Sequence, residues 1–200
     1  MPRKTAGTPL PESFFHSRTA LELAPALLGV HINIPAEGIV CRITETEAYM
    51  GAGDAACHAS DGRRTARTEV MFRRGGIFYV YLIYGMYHCA NIVSGEEGSG
   101  EAVLLRSVEI LEGHDSASLR RYGKPYGQLS AYQKKNLCNG PGKLCLALGI
   151  DKSFNGSPCS SSGLYLSAGD VIPASEVKTS ARIGVEYAGD AALFPWRFYI

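Results

Sequence analysis

The chain has 200 residues, of which 46% are hydrophobic and 20% charged, and a formal net charge of +1. These are ordinary values for one globular domain over 1–200, long enough to bury most of the apolar surface of the unfolded chain. They exclude a helical membrane span, because no run approaches about eighteen uninterrupted apolar residues.

In chain order, residues 1–13 read as a flexible lead-in. Arg3 and Lys4 are followed by Pro9, Pro11 and Glu12 rather than by an apolar core. The expectation is therefore no secretory leader and a cytoplasmic protein, or a nuclear one in a eukaryote. Thr19-Ala20-Leu21-Glu22 has capping-box spacing and predicts a short helix ending before Gly29, with Pro25 kinking it or shifting its start. Residues 29–34 and 39–49 are rich in β-branched side chains between Pro35, Gly38 and Gly51, and read as strands. Two further strands, 77–83 and 86–93, reverse at Tyr84-Gly85. A flexible loop over 95–100 leads to a strand over 102–108, and Asn139-Gly140-Pro141-Gly142 leads to a short helix over 143–148. Strands that follow one another through turns predict an α+β domain. Its sheet is expected to be antiparallel or mixed, curved and flanked by helices, with the 77–93 hairpin protruding.

That hairpin is the most distinctive segment. Tyr79, Tyr81, Tyr84 and Tyr87 supply rings, and a large side chain stands at the reversal. Such a device can hold a flat ring and wedge apart a stack of rings, which makes nucleic acid the first partner to consider. The charge distribution fits the same partner. Residues 63–74 carry Arg63, Arg64, Arg67, Arg73 and Arg74 against Glu69, a local +4. Residues 116–150 hold six cations and no acid, so the remainder must carry −9 to leave +1 overall. Separated charge of this kind neutralises backbone phosphates, although solvated loops would give the same pattern. The six cysteines form no C-x-x-C pair, and the neighbours Cys57-His58 and His88-Cys89 lack ligand spacing. Neither a disulfide scaffold nor a metal site is expected.

One carboxylate stands out. Strand alternation places Ile43, Glu45, Glu47 and Tyr49 on one side of the 39–49 strand, and two acids beside a ring suit a site that activates water. Solvated acids on an exposed strand edge would look alike. Arg106 ends the apolar run Ala102-Val103-Leu104-Leu105 and calls for a carboxylate partner, for which Glu47 is the natural choice. That pairing would keep the acid ionised.

Several blocks in order then resemble the alkyladenine (3-methyladenine) DNA glycosylases. They are Glu45-Thr46-Glu47-Ala48-Tyr49, Asp54-Ala55-Ala56-Cys57-His58, Met71-Phe72, the run from Tyr79 to Tyr87, Asn91, Val103-Leu104-Leu105-Arg106, Gly140-Pro141-Gly142-Lys143-Leu144-Cys145, Arg182-Ile183-Gly184-Val185 and Arg197-Phe198-Tyr199. The likeness runs from about Phe14 to the C-terminus. It implies a monofunctional glycosylase without cofactor, monomeric, acting on alkylated or deaminated purines (3-methyladenine, hypoxanthine, ethenoadenine) in double-stranded DNA. Glu47 would be the general base and Arg106 would help hold it and its water. Tyr49, His58 and Tyr81 would contact the flipped base, and Asn91 would disfavour the 2-amino group of guanine. Tyr84 would fill the gap in the duplex, with Met86 and Tyr87 following in the minor groove. Arg63, Arg64, Arg67 and Lys143 are the candidate phosphate contacts. Two departures from the family pattern, Thr68 in place of the common Asn and a longer loop over 96–100, bear on lesion range. The main alternative is a non-enzymatic module that stacks single strands on its tyrosines; it accounts for the aromatics but not for Glu47 with Arg106. A further alternative treats the tyrosine stripe as ordinary sheet core.

Overall fold

The computed structural model describes residues 7–200. The expected flexible lead-in therefore falls partly, at 1–6, outside the described residues. Residues 7–13 depart from that expectation. Pro9 bridges Ser167, and the Leu10 N–H donates to Leu166 O at 2.8 Å, so this segment uses backbone groups that a sheet edge would leave unpaired.

Helix α1 (Ser13–His16) precedes α2 (Ala20–Ala26). The capping box forms as expected: Thr19 Oγ1 accepts from the Glu22 N–H at 3.3 Å, and a Glu22 carboxylate oxygen accepts from the Thr19 N–H at 2.9 Å. Pro25 lies in the last turn, just before the helix ends. The next strand, β1 (His31–Ile34), starts later than its β-branched run suggests, because Gly29 turns at φ +85° where a Cβ would meet Asp170 O at 2.1 Å.

Strand β2 (Ile39–Tyr49) has the expected bounds, and β3 (Phe78–Ile83) with β4 (Tyr87–Ser94) forms the hairpin. Strand β5 (Glu101–Glu112) continues past the expected end at Val108, since Val108 and Ile110 still face the core. Helices α3 (His114–Tyr122), α4 (Ala131–Lys135) and α5 (Pro141–Leu148) follow, then the short strands β6 (Tyr165–Ser167), β7 (Lys178–Ser180) and β8 (Arg197–Tyr199). In α5 Pro141 takes the first turn, where its missing N–H forfeits no helical bond, and Gly149 ends the helix at φ +68°.

The sheet runs β3-β4-β5-β2-β1-β6 and is strongly curled. Strand β8 pairs with both β2 and β7. Every strand pair among the described residues is antiparallel, which removes the mixed alternative. Helices α2, α3 and α5 cover one face, where Leu23, Leu27, Ala117, Leu144 and Leu148 join Ile32, Ile43, Val103 and Leu105 in one core. Burying each such leucine contributes about 1.5–3 kcal/mol. The opposite face meets an irregular segment over 51–72, with Met71, Phe72, Tyr79 and Val93 forming a second cluster. The candidate site lies on that opposite face.

Candidate active site

Simple alternation along β2 would keep Ile43 on the side of Glu45, Glu47 and Tyr49. The structure separates them, placing Ile43 with Cys41 in the helix-covered core. Two opposed β-bulges change the phase. Thr44 is extra on β2 between the pairs Ile43–Val108 and Glu45–Ser107, and Arg106 is extra on β5 between Glu45–Ser107 and Thr46–Leu105. One extra residue reverses which side chains face the core. Beyond the bulges Ala48 and Leu105 take the core positions, and Thr46 Oγ1 donates to Ala24 O on α2 at 2.8 Å. Glu45, Glu47, Tyr49, Leu104 and Arg106 thereby share the opposite face.

Glu47 is fully buried. Its Oε1 accepts the Ile183 N–H at 2.8 Å, and its Oε2 accepts the Tyr49 hydroxyl at 2.9 Å and lies 3.3 Å from Arg106 Nη1. Arg106 is shared rather than dedicated to Glu47, since its Nε donates to Glu45 Oε1 at 3.0 Å. Glu45 also accepts from Arg197 Nε at 2.5 Å. The expectation that Arg106 keeps Glu47 ionised is corrected in its balance. Burial pushes the Glu47 carboxyl above its ordinary range, and Arg106, the Ile183 N–H and Tyr49 pull it back only in part.

A cavity of about 490 Å³ is lined by Tyr49, Arg106 and Ile183, the three residues that contact the Glu47 carboxylate, while Glu47 itself lies behind them. Tyr49, His58, Tyr81, Asn91, Leu104 and Arg106 line it, so the structure brings together the expected pocket residues. The rings pack edge to face or tilted: His58 lies 4.7 Å from Tyr81 at 73°, and Tyr79 lies 5.3 Å from Tyr81 at 37°. Asn91 is held by a bond from its Nδ2 to Tyr79 O at 3.0 Å, across the hairpin. Burial, and secondarily Arg67, lowers the His58 pKa to about 4.

The hairpin tip stands at the mouth. Ile83 and Tyr87 are the last strand pair, and Tyr84 and Gly85 both take positive φ, which matches hairpin twist. Tyr84 is 82% exposed and Met86 67%, so both side chains stand largely in solvent, with Tyr84 at the edge of the cavity. Tyr87 rests on the start of α5, where a Cβ at Gly142 would come within 3.0 Å of the Tyr87 Cβ.

The four expected phosphate contacts do not form one cluster of free cations. Arg63 is exposed, Arg64 pairs with Glu69 at 2.7 Å, and Lys143 donates to Asn136 Oδ1 at 2.8 Å. Arg67 lies over the Tyr81 ring at 4.6 Å. In the acid-free 116–150 segment, Arg121 donates to the backbone carbonyls of Asn136 and Leu137, and Arg120 pairs with Glu37 at 2.7 Å. Part of that positive charge therefore holds the fold.

Sequence reasoning missed one buried pair. Arg182 donates to both oxygens of Asp54 at 2.5 and 2.8 Å, and neither side chain is exposed. Arg182 also bonds Ala48 O and Ala191 O at 3.0 Å each and lies between the Tyr49 and Trp196 rings. Through this pair Ile183, the donor to Glu47, is held in place. Both residues fall in blocks that carry the family resemblance, but nothing local ties position 54 to position 182. All six cysteines are free and buried, and no group of three or more candidate metal ligands occurs among the described residues. No helix among them is long and apolar enough to cross a membrane.

The chain is similar to known proteins over nearly its whole length. A family model described as Methylpurine-DNA glycosylase (MPG) matches residues 13–200. A protein of Clostridium botulinum is 47% identical over 189 residues, covering 93% of each chain. One of Clostridium beijerinckii is 48% identical over 189 residues with the same coverage, and one of Clostridium novyi is 45% identical over 187 residues, covering 93% of this chain and 92% of that one. All three are provisionally named 3-methyladenine DNA glycosylases. The family model and these relatives thus place the chain in the class of the DNA glycosylases, whose substrate is DNA. Within it, the chain belongs to the methylpurine-DNA glycosylase family.

Proposed function

We propose that the protein flips 3-methyladenine, hypoxanthine or ethenoadenine out of duplex DNA and hydrolyses the N-glycosidic bond with a water activated by Glu47. One observation carries the reading: a fully buried carboxylate, fixed by a backbone N–H, a hydroxyl and a guanidinium, lies beside an aromatic cavity of about 490 Å³. A solvated acid on a strand edge would have none of these partners.

A base stacked in a duplex hides its glycosidic bond, and extruding it costs a few kcal/mol. Tyr84, held out at the hairpin tip, offsets part of that by stacking in the gap, with Met86 and Tyr87 beside it in the minor groove. Tyr49, His58 and Tyr81 receive the base, and Asn91 excludes the guanine 2-amino group. Exposed Arg63 contacts phosphate directly, and Arg64 and Lys143 do so by exchanging Glu69 and Asn136 for the DNA backbone. Glu47 takes a proton from water as the water oxygen bonds to C1′. The C1′–N bond breaks and its electron pair leaves with the base. Arg106 holds Glu47, and the ionised carboxylate stabilises positive charge developing on the sugar. A ring-alkylated purine departs from a cation and needs no acid. Hypoxanthine needs a proton, and neutral His58 is a poor source. No lysine lines the cavity, which supports water over an amine as nucleophile and hence release of the base without strand cleavage.

The test is to incubate the protein with duplexes carrying each lesion and to follow free base and backbone. Free base with an abasic, uncut strand is expected. Tight single-strand binding with no base release would instead favour the stacking module.

Tyr84→Ala is expected to lower single-turnover release about tenfold to a hundredfold, the range of one lost stacking contact, while the pH profile stays unchanged. An unchanged rate would remove the wedge from the scheme. The pH profile has its own expectation. Base release needs ionised Glu47, and burial raises its pKa, so release of a cationic base should climb with pH through a limb above the usual carboxylate range. A limb at or below pH 4.5, the ordinary value for a glutamate, would contradict the assigned base.

A further inference from the structure

Arg67 is exposed, but its guanidinium is engaged on two residues that line the cavity. Its guanidinium carbon is 4.6 Å above the centre of the Tyr81 ring, and its Nη2 is 3.3 Å from His58 Nε2. Tyr81 and His58 line the cavity, whereas Arg67 lies outside the wall they form. A guanidinium can only donate, so His58 Nε2 accepts from it. The ring proton then sits on Nδ1, 3.0 Å from the Tyr79 hydroxyl oxygen, which accepts it. Both imidazole nitrogens are committed, and the ring is neutral. Thr68 builds the turn behind this arrangement: its Oγ1 accepts the Thr65 N–H at 2.8 Å and donates to Arg63 O at 2.9 Å, and the side chain is buried.

We propose that Arg67 is a specificity-determining residue which, stacked on Tyr81 and bonded to His58, makes the pocket wall electropositive and so lowers the pocket's preference for cationic bases relative to neutral ones. The inference rests on the proposed flipped-base reading of this cavity. An aromatic face attracts cations through its π density. A guanidinium stacked on Tyr81 draws that density toward itself, so the ring offers less of it to a positively charged purine. The same guanidinium fixes His58 as the Nδ1–H tautomer by donating to its Nε2, while burial, the larger cause of the lowered His58 pKa, keeps the ring neutral with or without Arg67. Arg67 thus sets the balance between two lesion classes while touching neither.

The test compares Arg67→Met, which keeps bulk and loses charge, with wild type on two duplexes, one carrying 3-methyladenine and one hypoxanthine. The kcat/KM ratio of 3-methyladenine to hypoxanthine is expected to rise about three- to tenfold in the variant, and Arg67→Lys should fall between the two. Nitrogen NMR of His58 gives an independent readout, with the Nδ1–H tautomer in wild type and a shift toward the neutral Nε2–H tautomer in Arg67→Met. Equal losses on both duplexes, with a weaker salt dependence and an unchanged His58 spectrum, would make Arg67 a phosphate contact and overturn the proposal. Release of neither base by wild type would instead sink the glycosylase reading on which the proposal stands.

Discussion

Glu47→Gln is expected to slow release of 3-methyladenine from a duplex by about a thousandfold, with duplex affinity changed by no more than about twofold. Gln keeps the bulk of the side chain and one oxygen for the Ile183 N–H, while its NH2 takes the place of the oxygen that faced Tyr49 and Arg106. It cannot take a proton from water, nor offset positive charge on the sugar, and those two losses act on the same step. Unfolding would not be the cause. Because burial raises the folded-state pKa of Glu47, its ionisation contributes unfavourably to folding, and stability present below the unfolded pKa is lost as pH rises through the folded one. Gln removes that penalty but gives up the acceptor facing Arg106, two opposed effects, so the variant should melt within about 5 °C of wild type at neutral pH. Single-turnover base release and a thermal melt on the same preparation check both halves. A rate within tenfold of wild type would reassign the base, and a large fall in melting temperature would attribute the loss to folding.

Asp54→Ala is expected to destabilise the protein by about 3–5 kcal/mol, because it leaves the Arg182 charge buried without its carboxylate. For a chain of this length that corresponds to a fall of roughly 6–20 °C in melting temperature. The pair has four hydrogen bonds besides its own two. Asp54 accepts from the N–H groups of Met50 and Ala56, and Arg182 donates to Ala48 O and Ala191 O. These join the end of β2, the turn after it and the 182–191 segment around Glu47. Loss of Asp54 should therefore reduce base release by more than the unfolded fraction explains, since Ile183 is no longer held against Glu47. Replacing both partners with apolar residues of similar volume should restore much of the stability but not the activity. Denaturant unfolding beside single-turnover rates separates these effects. Equal destabilisation by the single and double variants would show that charge pairing is not what the site supplies.

The parts legible in the sequence are those written in local pattern. The Thr19–Glu22 box, the bounds of β2 and the reversal at Tyr84-Gly85 each depend on neighbouring residues, and each is present. The three-residue strands β6, β7 and β8 are too short to show a period. Helix α4 has a Ser130–Gln133 capping box of its own, a signal available in the sequence and overlooked among the cations. For the site, alternation correctly grouped Glu45, Glu47 and Tyr49 but wrongly added Ile43. The bulges at Thr44 and Arg106 depend on pairing between two strands, which no single strand reveals. Arg106 was matched to Glu47 alone because its bond to Glu45 follows from that same pairing. The Asp54–Arg182 pair spans 128 residues and the Ile183–Glu47 bond 136, distances over which periodicity says nothing.

The central claim is that a base flipped into the cavity beside Glu47 is released by water which Glu47 activates. It is tested most directly by mixing an ethenoadenine duplex with wild type and with Glu47→Gln while recording lesion fluorescence and free base together. Wild type should give an unstacking signal followed by base release, and Glu47→Gln the same signal with the lesion left attached. Release by Glu47→Gln at the wild-type rate, or release by wild type with no unstacking signal before it, would contradict the account.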